Sequence, residues 1–184
     1  AVPKGEGGMV AILGAKIEEI EKILKENQNN FDIQIANDNS LGQIVLSGKN
    51  KELDLLIDNL KSRSIKNIRL PVSAPFHCKL MNSATIIMKN ELEKIKFENS
   101  NNTLISNVTA KEIIDKENLK NLLVEQVENR VRWRESVLYM IQNGVNHFIE
   151  IGPGKVLSGL IKRINKDVKI NSINTEIDIK ELNI

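Results

Sequence analysis

The order in which two hydrophobic periods alternate along the first 72 residues constrains the fold more than anything else in this chain. Residues 9–13, Met-Val-Ala-Ile-Leu, form a short apolar run that follows two glycines and precedes a third, the pattern of a strand buried on both faces. Residues 15–26 then place Ile17, Ile20 and Leu24 at helical spacing. Phe31, Ile33 and Ile35 alternate with polar neighbours. Asn37-Asp38-Asn39-Ser40 has the composition of a turn, and residues 43–47 are strand-like again, so a hairpin is predicted there. Leu53, Leu56, Ile57 and Leu60 return to the helical repeat, and Ile68, Leu70 and Val72 alternate as a further strand.

The resulting order is βαββαβ, which predicts a ferredoxin-like split βαβ unit, a small sheet with two helices on one face, over residues 8–70. The chain then changes character. Leu80, Ala84, Ile87, Met88 and Ile95 mark a helix, and residues 103–108 read as a strand. Leu119, Leu122, Leu123 and Gln126 share one side of a second helix, and Trp133, Val137, Met140 and Ile141 mark a third. Residues 147–151 read as a strand, and Leu157, Leu160, Ile161 and Ile164 define a fourth helix. Helices alternating with lone strands predict an α/β layer with a parallel sheet covered on both faces. Strands are available only near residues 104, 148 and 170. The rest of that sheet is expected in sequence preceding Ala1, with the βαββαβ unit inserted in a larger α/β domain. The opening Ala1-Val2-Pro3-Lys4-Gly5-Glu6-Gly7-Gly8 is loop-like and fits a start inside a longer protein. The only biased stretch is the Asn-rich turn at 27–30.

Lys plus Arg number 26 against 24 Asp plus Glu, a net charge of +2, so no basic footprint points to nucleic acid. A single cysteine, Cys78, rules out an internal disulfide, and no Cys/His spacing resembles a metal site; both fit the cytoplasm. No targeting segment and no membrane-spanning run stands in the sequence.

Residues 70–81, Leu-Pro-Val-Ser-Ala-Pro-Phe-His-Cys-Lys-Leu-Met, leave a strand, pass Pro71 and Pro75, and enter a helix. The prolines fix φ and stiffen the loop, so His77 is mounted with little local freedom, as a general base requires; a helix-start histidine that only packs or caps has the same signature. Gln126, on the apolar side of its helix, either finds hydrogen-bond partners or lies at the edge of the stripe with its amide in water. Residues 150–157, Glu-Ile-Gly-Pro-Gly-Lys-Val-Leu, read as strand, tight turn and helix start. They suit either a close-packed connection or an anion at the bared helix N–H groups, and match neither a Walker A loop nor G-x-G-x-x-G. Cys78 is expected to be a buried small side chain, and His147 structural or exposed. Arg130, Arg132, Arg134, Lys162 and Arg163 form either a basic surface for an acidic partner or solvated charges. No serine lies in G-x-S-x-G: Ser47 is in Val-Leu-Ser-Gly and Ser158 in Leu-Ser-Gly.

Five blocks, residues 1–12, 37–48, 71–81, 126–133 and 148–164, resemble in order the malonyl-CoA:acyl-carrier-protein transacylases of fatty-acid biosynthesis. The resemblance implies a hydrolase-like α/β core, with residues 71–184 its C-terminal part, and an inserted ferredoxin-like subdomain. It implies an acyltransferase that passes malonyl from malonyl-CoA to the phosphopantetheine thiol of acyl carrier protein through an acyl-serine, with no cofactor and no metal. His77 matches the catalytic histidine, and Gln126 the residue whose main-chain carbonyl orients it. Phe76 matches a position whose bulk crowds branched acyl groups. The family's Gly-His-Ser-x-Gly elbow and the arginine that pairs with the malonyl carboxylate lie before the point matching Ala1. The chain alone is therefore expected to be inactive, with the missing N-terminal segment as a partner and neither nucleic acid nor membrane as one. An inactive remnant or split subunit that binds acyl carrier protein, and a polyketide-type acyltransferase, are the alternatives.

Overall fold

The computed structural model describes residues 2–29 and 31–182. Ala1, at the head of the loop-like opening, Asn30, the last residue of the Asn-rich turn, and the final two residues of the expected core segment lie outside them. Two compact units follow one another, residues 1–136 and 137–184.

The first unit begins with β1 (Gly7–Leu13), α1 (Ile17–Glu26), β2 (Gln34–Ser40), β3 (Gln43–Lys49), α2 (Asn50–Ser62) and β4 (Lys66–Arg69). The strands form one antiparallel sheet in the order β2-β3-β1-β4, the ferredoxin-like arrangement that the hydrophobic periods predict. Alternation along β1 divides its side chains between two layers. Val10 and Ile12 join Ile44 and Leu46 of β3 beneath Ile20 and Ile23 of α1 and Leu53, Leu56 and Leu60 of α2. Met9 and Ala11 pack on the other face with Ala36, Val45 and Leu70. With both faces covered, the central strand is apolar at every position from 9 to 13.

Two local expectations differ from what the chain does. Residues 37–40 are not the hairpin turn; β2 runs to Ser40, and the turn is Leu41-Gly42, with Ser40 opposite Gln43 and Gly42 at φ +72°. The peptide groups around Asp38 in β2 find partners far along the chain. Asp38 N donates to Val131 O at 2.9 Å, Val131 N donates to Ala36 O at 2.8 Å, and β2 shifts register twice to accommodate them. The fourth strand ends at Arg69 instead of reaching Val72, because Pro71 has no N–H to continue the ladder after Leu70 N bonds Met9 O.

Beyond the sheet, a 3-10 turn (Lys79–Met81) leads into α3 (Asn82–Glu93), and α4 (Lys116–Glu125) follows, its Asp115 side chain accepting from Asn118 N as an N-cap. The strand expected at 103–108 is instead a tight turn closed by a single bridge between Ile105 and Glu112. Ser106 causes it: its buried hydroxyl accepts from the N–H groups of Val108 and Thr109, offering the backbone a local partner in place of a neighbouring strand. The apolar residues Ile86, Ile87 and Met88 of α3 stand exposed.

Helix α5 (Trp133–Gln142) contains the division between the units. In the second unit β5 (His147–Ile151) and β6 (Lys169–Ile173) pair in parallel, joined by α6 (Val156–Ile164). Helix α7 (Glu176–Lys180) follows, with Thr175 and Asp178 forming a capping box. No helix among the described residues is long and apolar enough to cross a membrane.

Candidate active site

The loop after β4 is anchored at two buried residues. Pro75 packs so closely on Gly7 that a Cβ there would come within 2.4 Å of its ring, and Cys78, fully buried, points its thiol at Pro75 O, 3.2 Å away. Lys79 N donates to Gln34 Oε1 at 2.7 Å, tying the loop end to the edge strand β2. Between these anchors His77 takes φ +58°, a left-handed conformation that a residue with a side chain adopts only when its surroundings enforce it. That conformation turns the half-buried ring toward the end of α4, while Phe76 beside it is 42% exposed.

His77 Nδ1 lies 2.7 Å from Gln126 O. A carbonyl can only accept, so Nδ1 carries the proton, and in the neutral ring Nε2 is left with a lone pair. The tautomer thus follows from the contact. Gln126 is the C-cap of α4, and its carbonyl is among those that a helix leaves without an internal partner. It also lies at the negative end of the helix dipole, suited to the charge a ring gains on taking a second proton.

The side chain of Gln126 is engaged as well. Asn107 Nδ2 donates to Gln126 Oε1 at 3.0 Å, while Asn107 O accepts from Arg132 N at 2.9 Å. Of the two fates open to this amide in the sequence, the structure takes the partnered one. A further bond, Asn82 Nδ2 to Glu128 Oε1 at 3.0 Å, links the start of α3 to the turn after α4. Asn107 carried no signal of its own within the segment 103–108 that reads as a strand.

Of the residues that offered a basic surface, the three arginines in the first unit are each paired. Arg130 Nη1 meets Glu21 at 3.1 Å and Arg132 Nη2 meets Glu135 at 2.6 Å. Arg134 makes a fork to Asp38, with Nε at 3.0 and 3.1 Å from the two oxygens and Nη2 at 2.8 Å. The hydrogen bond from Arg132 holds the Glu135 carboxyl below its usual range, and the bond to Asp38 raises Arg134 above its own. No cluster of three or more His, Cys, Asp or Glu side chains suited to a metal occurs among the described residues.

In the second unit, the helix start at 156 already holds an anion of its own. Glu150 accepts from Leu157 N at 3.0 Å and Ser158 N at 2.7 Å, so the tight turn closes on an internal carboxylate. Hydrogen bonding from the Ser158 side chain, with the backbone N–H groups adding to it, holds that carboxyl below its usual range. His147 is structural: its Nε2 donates to Asn171 Oδ1 at 2.8 Å.

No family model matches the chain. A curated malonyl CoA-acyl carrier protein transacylase of Staphylococcus aureus (strain MRSA252) is 40% identical over 185 aligned residues, covering 100% of this chain and 60% of that protein. The crystal structure of a malonyl CoA-acyl carrier protein transacylase from Clostridium perfringens superposes with a TM-score of 0.93 at 37% identity, over 98% of this chain and 57% of the other. A malonyl-transacylase solved in complex with its type II PKS acyl-carrier protein superposes with a TM-score of 0.92 at 34% identity, over 97% and 58%. The chain spans 60% of the length of the first of these relatives. Over its whole length it is thus a relative of the malonyl CoA-acyl carrier protein transacylases, matching a part of each.

Proposed function

We propose that this chain supplies the general base of a malonyl transfer from coenzyme A to the phosphopantetheine thiol of an acyl carrier protein, through an acyl-serine whose serine lies outside the chain. The observation that supports it is the 2.7 Å contact between His77 Nδ1 and Gln126 O, which leaves Nε2 as the basic nitrogen. In this reading Nε2 takes the serine proton as Oγ attacks the malonyl thioester, and gives it to the departing coenzyme A sulfur when the tetrahedral intermediate collapses. Nε2 then takes the proton of the pantetheine thiol, whose sulfur attacks the acyl ester, and returns it to the serine oxygen. The main-chain carbonyl of Gln126 fixes ring and tautomer, the task of the aspartate in a Ser-His-Asp triad. Phe76, immediately before the base, narrows the acyl site against α-branched groups.

Both thiol carriers are substrates, and the proposed steps call for no cofactor or metal. Residues 71–184 form part of the α/β core in this reading, and the remaining strands of its sheet come from the segment that bears the nucleophile. A cytoplasmic setting accompanies it, supported by the free thiol Cys78.

The test is malonyl transfer by this chain alone and with the segment covering the rest of a related transacylase, fused or added in trans. Transfer is expected only from the combination, and His77→Ala is expected to reduce it by about a hundred- to ten-thousandfold. A folded combination that binds acyl carrier protein but transfers nothing, or that ignores His77→Ala, would overturn the reading in favour of a binding remnant.

A further inference from the structure

We infer that Asn107 is a positioning residue for His77, acting through Gln126; the inference deepens the proposed role of His77 and rests on it. The argument starts from where α4 ends. Gln126 N bonds Leu122 O within the last turn, and the next peptide, whose carbonyl faces His77, is held there by one longer i−3 bond, Val127 N to Val124 O at 3.2 Å, at a helix end of the kind that frays. The side chain of Gln126 adds a further attachment, the amide contact from Asn107 at 3.0 Å.

Asn107 is itself held rigidly. It sits in the turn organised by Ser106, whose N–H donates to Lys111 O and whose carbonyl accepts from Ala110 N, both at 2.9 Å. Its own carbonyl is bound by Arg132 N, next to Val131, which is paired on both sides of its peptide with Ala36 and Asp38 of β2. The amide of Asn107 therefore carries the rigidity of the sheet to the end of α4. A ring whose Nδ1 partner can rotate away populates both tautomers, and the Nε2–H form cannot accept a proton at the nitrogen the mechanism uses.

A merely space-filling role and a hydrogen-bonding role rank two substitutions in opposite orders. Asn107→Leu keeps the volume and abolishes the bond. Asn107→Asp keeps the shape, and Gln126 can turn its amide to donate to the new carboxylate, restoring the link with reversed polarity. The readout is the nitrogen NMR spectrum of the His77 ring in the full chain, above the pH at which the imidazole is neutral. Wild type and Asn107→Asp are expected to show one Nδ1–H tautomer; in Asn107→Leu the minor form should rise about two- to tenfold, the factor set by one neutral hydrogen bond. An unchanged tautomer ratio in Asn107→Leu, or loss in Asn107→Asp alone, would overturn the inference. Unfolding of the leucine variant leaves the aspartate arm to decide. These arms do not depend on transfer, so loss of the functional reading by the His77→Ala assay would be seen separately.

Discussion

Removing Arg134 should damage this chain far more than removing its partner Asp38, and the asymmetry follows from burial. Both side chains line a surface cavity of about 690 Å3, but Asp38 is 1% exposed whereas the Arg134 side chain is 21% exposed and can reach water. Arg134→Met strands a carboxylate in the interior with its peptide N–H already committed to Val131 O, and an uncompensated buried charge costs about 3 to 5 kcal/mol. Asp38→Asn leaves an acceptor in place and lets the guanidinium turn outward, so the loss is closer to one hydrogen bond to a charged group, about 1.5 to 3 kcal/mol. The double variant Asp38→Leu/Arg134→Met removes both charges and should recover most of the deficit of Arg134→Met. The single tryptophan, Trp133, is adjacent to the pair, and its fluorescence in urea reports the transition of the first unit. At a urea slope of about 2 kcal/mol per molar, the midpoint of Arg134→Met should fall by about 2 M. A larger loss in Asp38→Asn than in Arg134→Met, or a double variant less stable than Arg134→Met, would refute the reasoning.

Two smaller perturbations test other parts of the fold. Gly42→Ala forces a side chain into φ +72° with its Cβ 3.3 Å from Gly14 Cα; a loss of about 1 to 2 kcal/mol is expected in the same urea experiment, and no loss would show that the hairpin turn can relax. Glu150→Gln should speed amide hydrogen exchange at Leu157 and Ser158 near neutral pH, because a charged acceptor is lost from the helix start. Since the folded carboxyl lies below its usual value, its contribution is complete above the ordinary carboxylate range and is lost as pH falls through the lowered value. The difference between the two proteins should therefore vanish at acid pH, and a difference that persists there would exclude the charge as its source.

What the sequence made legible was set by local period; what it hid was set by distant partners. The apolar positions of β1, β3, α1 and α2 carry their own burial signal at spacings of two or three to four, and the βαββαβ unit follows from them without any contact being known. Asn37-Asp38-Asn39-Ser40 has equally strong turn chemistry, yet it is strand, with Val131 and Arg134 bonding Asp38 from up to 96 positions away. Ser106 misleads in the other direction: an apolar-flanked segment reads as strand until one hydroxyl claims two backbone donors.

The site divides along the same line. His77 was visible because prolines and a helix start announce a stiff mount, and a ring nitrogen is chemistry that a residue name reveals. The group its Nδ1 bonds is a peptide carbonyl, 49 positions on, and every residue has one. No side-chain pattern can single out Gln126 O; only the helix end at Glu125, which leaves that carbonyl unpaired, and the left-handed turn at His77, which aims the ring at it, bring donor and acceptor together. Asn107 is a step further removed, since it touches neither ring nor carbonyl. Local pattern thus locates the residue proposed to move a proton, and the groups that fix its tautomer emerge only when the sheet, the turn at 106–110 and the end of α4 are closed by hydrogen bonds.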